Sequence, residues 1–128
     1  MKVFILMLLM HILDDFVLQP ICLSKLKQKD WWIKQCKENN LDFDKYKTDY
    51  ITALVMHSLS WSIMIHLPIM FIYGIENSVL FLSIFINMLI HLIVDNYKAN
   101  LKKINLDTDQ TIHLFQIIIT FSFFTIYG

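Results

Sequence analysis

The sequence predicts an all-α, polytopic membrane protein that forms a single integral membrane domain over residues 1–128. Composition is the first reason, because 56% of the residues are hydrophobic and 17% are charged, against about 45–50% and about 25% in soluble domains. The distribution of charge is the second reason. Nearly all charged residues fall in two segments, which leaves four long apolar stretches. We therefore expect four transmembrane helices and a cytoplasmic connector between the first two.

The first predicted transmembrane helix, residues 3–23, is the least apolar of the four because Asp14 and Asp15 interrupt it. A cleaved signal peptide is the alternative for its beginning, since Lys2 precedes an apolar run. No small-residue cleavage site follows, and the apolar stretch resumes at Val17. We therefore expect the segment to be retained as a membrane helix.

The predicted connector, residues 24–50, has a Lys-rich first half that contains Trp31 and Trp32. Aromatic residues among lysines are typical of a short helix that lies at the membrane interface, with the lysine side chains toward lipid headgroups. The second half mixes Asp, Lys and Tyr and predicts a turn into the next helix. A solvated connector without membrane contact is the alternative.

The other three predicted transmembrane helices cover residues 51–75, 78–97 and 110–128. Ile51–Ile75 and Ser78–Val94 contain no charged residue, and His113 is the only ionisable residue in Thr111–Gly128. Each run is close to the roughly 20 residues that a helix needs to cross a bilayer core of about 30 Å.

The placement of lysine predicts the orientation, because positive charge is retained preferentially in the cytoplasm. Of the eleven basic residues, all but Lys2 lie in residues 24–50 or 96–110. Both segments should be cytoplasmic and both termini outside, in a bacterial inner membrane. A net charge of zero makes a nucleic-acid partner improbable, and Cys22 and Cys36 would face a reducing compartment that disfavours a disulfide.

Ionisable and amide side chains recur at helical spacing within the predicted helices. Residues three and four apart share one helix face, and ionisable residues inside a membrane are costly and usually functional. With the orientation given by the lysines, all four helices place such residues in one layer of the cytoplasmic half of the membrane. The residues are His11, Asp15 and Gln19; His57; Asn87, His91, Asp95 and Lys98; and Asp109, Gln110 and His113.

Histidine and carboxylate side chains that converge in one layer are the ligands of a divalent metal such as Zn, Mn or Fe. The predicted ligands, for one or two ions, are His11, Asp15, His57, His91, Asp95 and His113. Asp14 is expected outside the cluster because it is rotated by about 100° from Asp15. His66 is deeper in its helix and is expected to serve helix packing. Buried ion pairs that only stabilise the helix packing are the alternative to a metal.

The pattern of these residues resembles a small family of bacterial and phage integral membrane proteins of unknown function. The resemblance covers nearly the whole chain and is carried by H-x3-D-F-x2-Q from His11, a histidine at position 57, H-x3-D-x2-K from His91 and D-Q-x2-H from Asp109. It implies about four hydrophobic helices and supports these positions, but it implies no activity. The layout is also similar, more loosely, to membrane-bound metal-dependent hydrolases.

The function predicted from these residues is metal-dependent hydrolysis of a lipid or lipid-linked ester at the cytoplasmic leaflet. The metal would activate a water molecule, with Asp109 as candidate base and Lys98 near a leaving phosphate. Gln19 and Gln110 would hold a water molecule or a substrate oxygen. The expected partners are membrane lipids, and flat apolar faces leave a homodimer open. The alternatives are a small ion- or proton-translocating protein, and a phage accessory protein that binds a host membrane partner.

Overall fold

The protein is entirely helical over the residues that the computed structural model describes, which are 1–19, 21–74 and 78–127. Seven α-helices and one π-helical turn follow one another along the chain. They are α1 (Lys2–Ile12), the π-turn (Leu13–Leu18), α2 (Ile21–Leu26), α3 (Lys29–Glu38), α4 (Phe43–Tyr46), α5 (Asp49–Tyr73), α6 (Ser78–Ala99) and α7 (Leu106–Tyr127). The predicted all-α class is confirmed.

Three stretches are long and apolar enough to cross a membrane, as judged by length and composition. They are Phe43–Tyr73, Ser78–Ala99 and Leu106–Tyr127. They overlap the three predicted helices that follow the connector, 51–75, 78–97 and 110–128, of which residues 75 and 128 lie outside the described residues. Many large apolar side chains on their outer surfaces are exposed, including Phe71, Phe81 and Ile126. Such a surface suits contact with lipid, because water-soluble domains rarely expose apolar patches of this extent.

The segment predicted as one helix over residues 3–23 is divided in two. α1 continues into the π-turn, in which the Gln19 amide donates to the Asp14 carbonyl oxygen five residues earlier, at 3.0 Å. At Gln19 the backbone becomes extended, with φ −76° and ψ 99°. Proline at position 20 explains this change, because a proline ring disfavours the helical conformation of the residue before it.

The connector folds back on the end of α6. The Asn100 side chain donates to the Lys27 carbonyl oxygen at 3.0 Å and accepts from the Lys29 amide at 2.7 Å, which fixes the junction of α2 and α3. Trp32 donates to the Leu26 carbonyl oxygen at 2.9 Å and stacks on Tyr46. A short helix is indeed present in the Lys-rich half, and these contacts hold it against the bundle.

Local capping explains where the long helices begin and end. α7 begins at Leu106, four residues before the predicted start, because the Asn105 side chain accepts from the Thr108 amide at 2.9 Å. Asparagine before a helix is a favourable N-cap. α5 ends before Gly74, which adopts a left-handed conformation with φ 62° that glycine accommodates without steric cost.

An apolar core lies toward one end of the bundle. α1, α5, α6 and α7 contribute to it, and its members are Val3, Met7, Trp61, Ile65, Ile69, Leu80, Ile117 and Phe124. Trp61 marks the boundary of this core, since its indole N–H donates to His11 Nδ1 at 2.8 Å and its ring stacks on His91 at 4.2 Å. Beyond Trp61, toward the connector, the interior becomes polar.

Candidate metal centre

Two adjacent carboxylates enter the polar interior from the π-turn. Asp14 is buried, accepts from the Ser60 hydroxyl at 2.6 Å, and has its Oδ2 3.6 Å from His57 Nδ1. Asp15 Oδ1 lies 3.4 Å from His57 Nε2. The prediction that Asp14 lies outside the cluster is therefore wrong. Its premise was α-helical geometry, and the wider π-turn, which often marks functional sites, brings both carboxylates to the same histidine.

His57 stands between these carboxylates and the histidine of α6. Its Nε2 is 3.2 Å from His91 Nε2 and 3.5 Å from Asp95 Oδ2. The Asp14 carboxylate beside Nδ1 favours a proton on that nitrogen and leaves the Nε2 lone pair directed inward. A carboxylate that orients a histidine in this way is common around protein-bound metals.

A second group forms where α6 and α7 meet. His113 Nε2 is 3.5 Å from Asp95 Oδ1 and 3.4 Å from Asp109 Oδ1. His91 Nε2 is 3.7 Å from Asp95 Oδ1, and its ring stacks on that of His113 at 4.1 Å. Asp95 thus connects the second group to His57 and the first.

These residues form two groups whose ligand atoms lie close enough to hold a metal ion. One consists of Asp15, His57 and His91, and the other of His91, Asp95 and His113, with the ligand atoms of each group within 4.8 Å of one another. His91 belongs to both. Five of the six predicted ligands are therefore brought together in two overlapping triads, which suit one ion with a shared ligand set or two neighbouring ions.

Several polar atoms of this region lie 3.4–3.6 Å from a histidine nitrogen or carboxylate oxygen but form no hydrogen bond to any described residue. Five buried side-chain atoms have no hydrogen-bond partner among the described residues: Asp14 Oδ2, Asp15 Oδ1, His91 Nδ1, Asp109 Oδ1 and His113 Nε2. Buried polar groups without partners are rare and costly. Their concentration at one place is what a bound cation would satisfy.

The charges lead to the same conclusion. Four largely buried carboxylates, those of Asp14, Asp15, Asp95 and Asp109, face two ammonium groups. Lys27 donates to Asp95 Oδ2 and Lys98 donates to Asp109 Oδ2, each at 2.6 Å. With neutral histidines these described residues carry an excess of two negative charges, and a proton on His113, which lies against Asp95 and Asp109, would leave an excess of one. An uncompensated buried charge is strongly unfavourable.

His11, the sixth predicted ligand, lies beside the two triads. Its Nδ1 accepts from the Trp61 indole, so its Nε2 carries the proton and donates to Gln110 Oε1 at 3.1 Å. Both ring nitrogens are therefore engaged in hydrogen bonds. The predicted neighbour Asp15 is present, with Oδ2 3.6 Å from His11 Nδ1.

The two predicted glutamines connect the cluster. Gln110 Nε2 donates to Asp15 Oδ2 and to Asp109 Oδ2, each at 3.2 Å, and so joins carboxylates of two helices. In the amide orientation that satisfies its neighbours, Gln19 accepts from Lys27 Nζ at 2.7 Å and donates to the Asp15 carbonyl oxygen at 3.1 Å. Gln19 thus holds Lys27 next to the π-turn.

A chain of hydrogen bonds leads from His113 into the apolar half. His113 Nδ1 donates to Gln116 Oε1 at 3.1 Å, and Gln116 Nε2 donates to the Asn87 carbonyl oxygen at 3.2 Å. Because Gln116 presents its oxygen, the proton of His113 resides on Nδ1 and Nε2 remains available to a metal. Asn87 donates in turn to Thr120 Oγ1 at 3.0 Å. Sequence reasoning missed Gln116, although it lies three residues after His113.

His66 stands at the far end of this chain. Its Nδ1 donates to the Ser62 carbonyl oxygen at 2.7 Å, and its Nε2 accepts from the Ser83 hydroxyl at 2.8 Å. Asn87 reaches the same hydroxyl at 3.5 Å. His66 therefore contacts neither triad directly, and polar side chains connect it to His113.

Two neighbouring cavities lie beside the triads. The larger, of about 430 Å³, is lined by Gln19, Ser24, Lys27, Gln28, Asp95, Lys98, Ala99 and Lys102. The smaller, of about 50 Å³, also reaches Asp15, His57 and Gln110. The cavities share Gln19, Lys27, Asp95 and Lys98. A molecule in the larger cavity would therefore lie next to the triads.

Lys27 also belongs to this site, although nothing in the sequence indicated it. Its side chain is 10% exposed, whereas lysine is almost never buried unless it is paired. The contact with Asp95 spans 68 positions of the chain, and no helical spacing relates the two. Comparisons with protein-family models, with curated proteins and with solved structures give no match, so the resemblance stated above stays a prediction and the site is interpreted from its own geometry.

Proposed function

We propose that the protein is a membrane-embedded, metal-dependent hydrolase that acts on a lipid or lipid-linked ester at the cytoplasmic leaflet. One observation carries the proposal: buried histidine and carboxylate atoms without partners converge beside a cavity that is open to the surface. A purely structural cluster of ion pairs would leave few such atoms without partners.

In this proposal the first segment is a fourth transmembrane span, with both termini outside and the lysine-bearing loops in the cytoplasm of a bacterial inner membrane. α1 packs against α5 and α7 as a member of the bundle. Its outer surface and that of the π-turn expose apolar side chains, among them Ile5, Leu9 and Val17. Such a surface in contact with water would be unfavourable.

His57, His91 and His113 with Asp15 and Asp95 would hold the divalent metal, for which Zn, Mn and Fe are all suitable. The bound metal would supply Lewis acidity toward the ester and lower the pKa of water. Asp109 is the candidate base because its Oδ1, 3.4 Å from the proposed ligand His113, forms no hydrogen bond with a described residue. Its Oδ2 is held by Lys98 and Gln110, which orients Oδ1 toward the centre.

Metal content tests the first half of the proposal. Elemental analysis of purified protein should find bound metal in the wild type and little or none in His91→Ala, since His91 belongs to both triads. His66→Ala is the matched control, because His66 is also a buried histidine but ligates in neither triad. Equal metal content in wild type and His91→Ala, or none in either, would reject the metal centre.

A turnover assay tests the second part of the proposal, that the protein hydrolyses a lipid or lipid-linked ester. Wild-type protein in nanodiscs of labelled bacterial lipids should release a hydrolysis product, and Asp109→Asn should abolish release while it retains the metal. Metal-loaded wild-type protein without turnover of any lipid would reject the hydrolase.

The hydrogen-bond chain from His113 to His66 favours a second candidate function, the translocation of ions or protons. It joins the polar half of the bundle to the apolar half through Gln116, Asn87 and Ser83. Amide groups relay protons poorly, so the chain suits this function less well than the triads suit metal binding. A flux of protons or metal ions into liposomes that contain the wild-type protein would support translocation, provided that Asn87→Leu abolishes it.

A further inference from the structure

The larger cavity is unusual for the number of ammonium groups around it. Lys27, Lys98 and Lys102 line it together with the side-chain amides of Gln19 and Gln28. These lysines come from two separate parts of the chain, the junction of α2 and α3 and the region after His91. The fold therefore gathers donors of hydrogen bonds and positive charge at one opening.

Each lysine has a carboxylate partner and retains capacity for another acceptor. Lys27 donates to Asp95, Lys98 to Asp109, and Lys102 to Asp30 at 2.7 Å. An ammonium group has three N–H donors. The described contacts of Lys98 and Lys102 each use one donor, and those of Lys27 use two when Gln19 is included.

Lys27 also couples the cavity to the triads. The Asp95 carboxylate that it binds is a member of one triad, and its Oδ2 lies 3.5 Å from Nε2 of His57, a member of the other. With Asp95 and Gln19 as acceptors, Lys27 still has one N–H donor for an anion in the cavity, whether or not a cation is bound at Asp95.

We propose that this cavity binds the phosphate group of a phosphoester, with Lys27 and Lys98 as the principal contacts and Lys102 at the rim. The proposal rests on the proposed function and narrows its substrate from esters in general to phosphoesters. Phosphate oxygens are strong acceptors for the N–H donors that these ammonium groups retain, whereas the carbonyl oxygen of a neutral acyl ester is a weaker acceptor. The phosphate belongs either to a lipid headgroup or to a free phosphate compound.

Binding should be measured in a chelator, without turnover. The two probes are inorganic phosphate, by equilibrium dialysis, and phosphatidic acid in phosphatidylcholine nanodiscs. Lys27→Met combined with Lys98→Met should weaken binding by about tenfold or more, as expected for the loss of charged hydrogen bonds. Lys25→Met combined with Lys29→Met is the matched control. It removes the same charge from exposed positions of the same region that do not line the cavity, and it should change binding by less than about twofold.

If the substitutions of Lys27 and Lys98 prevent folding, a second pair of variants tests the proposed phosphate site. Lys102 lines the cavity and Lys103 does not, and both are exposed. Lys102→Glu should weaken binding several-fold, and Lys103→Glu should leave it nearly unchanged. Binding of both probes, or of phosphatidic acid alone, supports the phosphate site and identifies the source. No binding of either probe, or an equal loss in Lys102→Glu and Lys103→Glu, overturns it.

The outcome is independent of the hydrolase. Phosphate binding without turnover would retain the site and reject the proposed reaction. Turnover of an acyl ester without phosphate binding would retain a hydrolase and reject phosphate as its substrate group.

Discussion

The two halves of the bundle differ in whether the buried polar atoms of their interiors have hydrogen-bond partners. Around Ile65 and Ile69 the core consists of apolar side chains that pack closely and lack solvent exposure. Beyond Trp61 the interior contains four carboxylates and four histidines, several of whose side-chain atoms form no hydrogen bond among the described residues. The apolar half is stabilised by its own packing, whereas the polar half contains buried groups that could hold a metal ion.

The apolar half also explains how the side chains of the polar half are kept in position. Trp61 separates the two regions, with one edge bonded to His11 and one face stacked on His91. The apolar half therefore holds the rings of His11 and His91 in place, while the π-turn brings Asp14 and Asp15, and the connector brings Lys27, to the site. Such support from a rigid core is what a precise binding site requires.

Removal of Asp95 should cause the largest change, because Lys27 would become a buried ammonium group without its carboxylate. Asp95→Ala should lower the free energy of unfolding by about 3–5 kcal/mol and reduce metal binding. Thermal unfolding and elemental analysis measure the two effects. Asp44→Ala, at an exposed position, is the control. If Lys27→Met with Asp95→Leu were no more stable than Asp95→Ala, the lysine would not be the cause.

A cavity in the apolar half should cost stability without affecting metal binding. Ile65 is fully buried, and Ile65→Ala should destabilise the protein by about 2–5 kcal/mol. Metal stoichiometry of the folded fraction should equal that of wild type. A parallel loss of metal at full folding would mean that the two halves are not separable in this way.

Gln116 connects the halves, and its substitution should affect metal affinity more than stability. Gln116→Leu removes the acceptor that keeps the His113 proton on Nδ1, and such outer contacts typically contribute about 10–100-fold to metal affinity. Competition with a chromogenic chelator measures the change. Thr125→Val is the control, because Thr125 bonds only its own helix at the exposed end of α7. Unchanged affinity in Gln116→Leu would argue against control of the proton position.

The smallest effect is expected outside the bundle, at the exposed pair of Asp30 and Lys102. The hydrogen bond and charge of Lys102 lower the pKa of Asp30 below its usual value of 3.8. A carboxylate with a lowered pKa in the folded state adds stability above its unfolded pKa, and this contribution is lost as the pH falls through the folded value. Asp30→Asn should therefore lower the melting temperature slightly at pH 6 and leave it unchanged at pH 2. A larger difference at the lower pH would contradict the sign.

The sequence predicted the parts of the site that depend on regular helices. His91 and Asp95 were found from their spacing of four, as were Asp109 and His113, because an α-helix places such residues on one face. His57 was found because a histidine in an apolar run is conspicuous. The all-helical fold and three apolar helices also followed directly from composition and charge.

The missed residues depend on irregular or distant structure. Asp14 required knowledge of the π-turn, whose wider geometry no simple periodicity reveals. Lys27 required the docking of the connector through Asn100, a contact between residues more than 70 positions apart. Among the ten lysines of the two predicted cytoplasmic loops, nothing in the local sequence distinguished Lys27 as the buried one.

The π-turn gives the protein an unusual sensitivity to length. A regular α-helix advances by about 100° per residue, so the turn sets the rotational phase of everything that follows it on the chain. Deletion of one residue there would restore regular winding, withdraw one carboxylate from His57 and rotate the path toward Lys27. Point substitutions at the exposed positions of this segment, such as Val17, would leave that phase intact. The number of residues in this segment should therefore matter more for the site than the identity of its exposed apolar side chains.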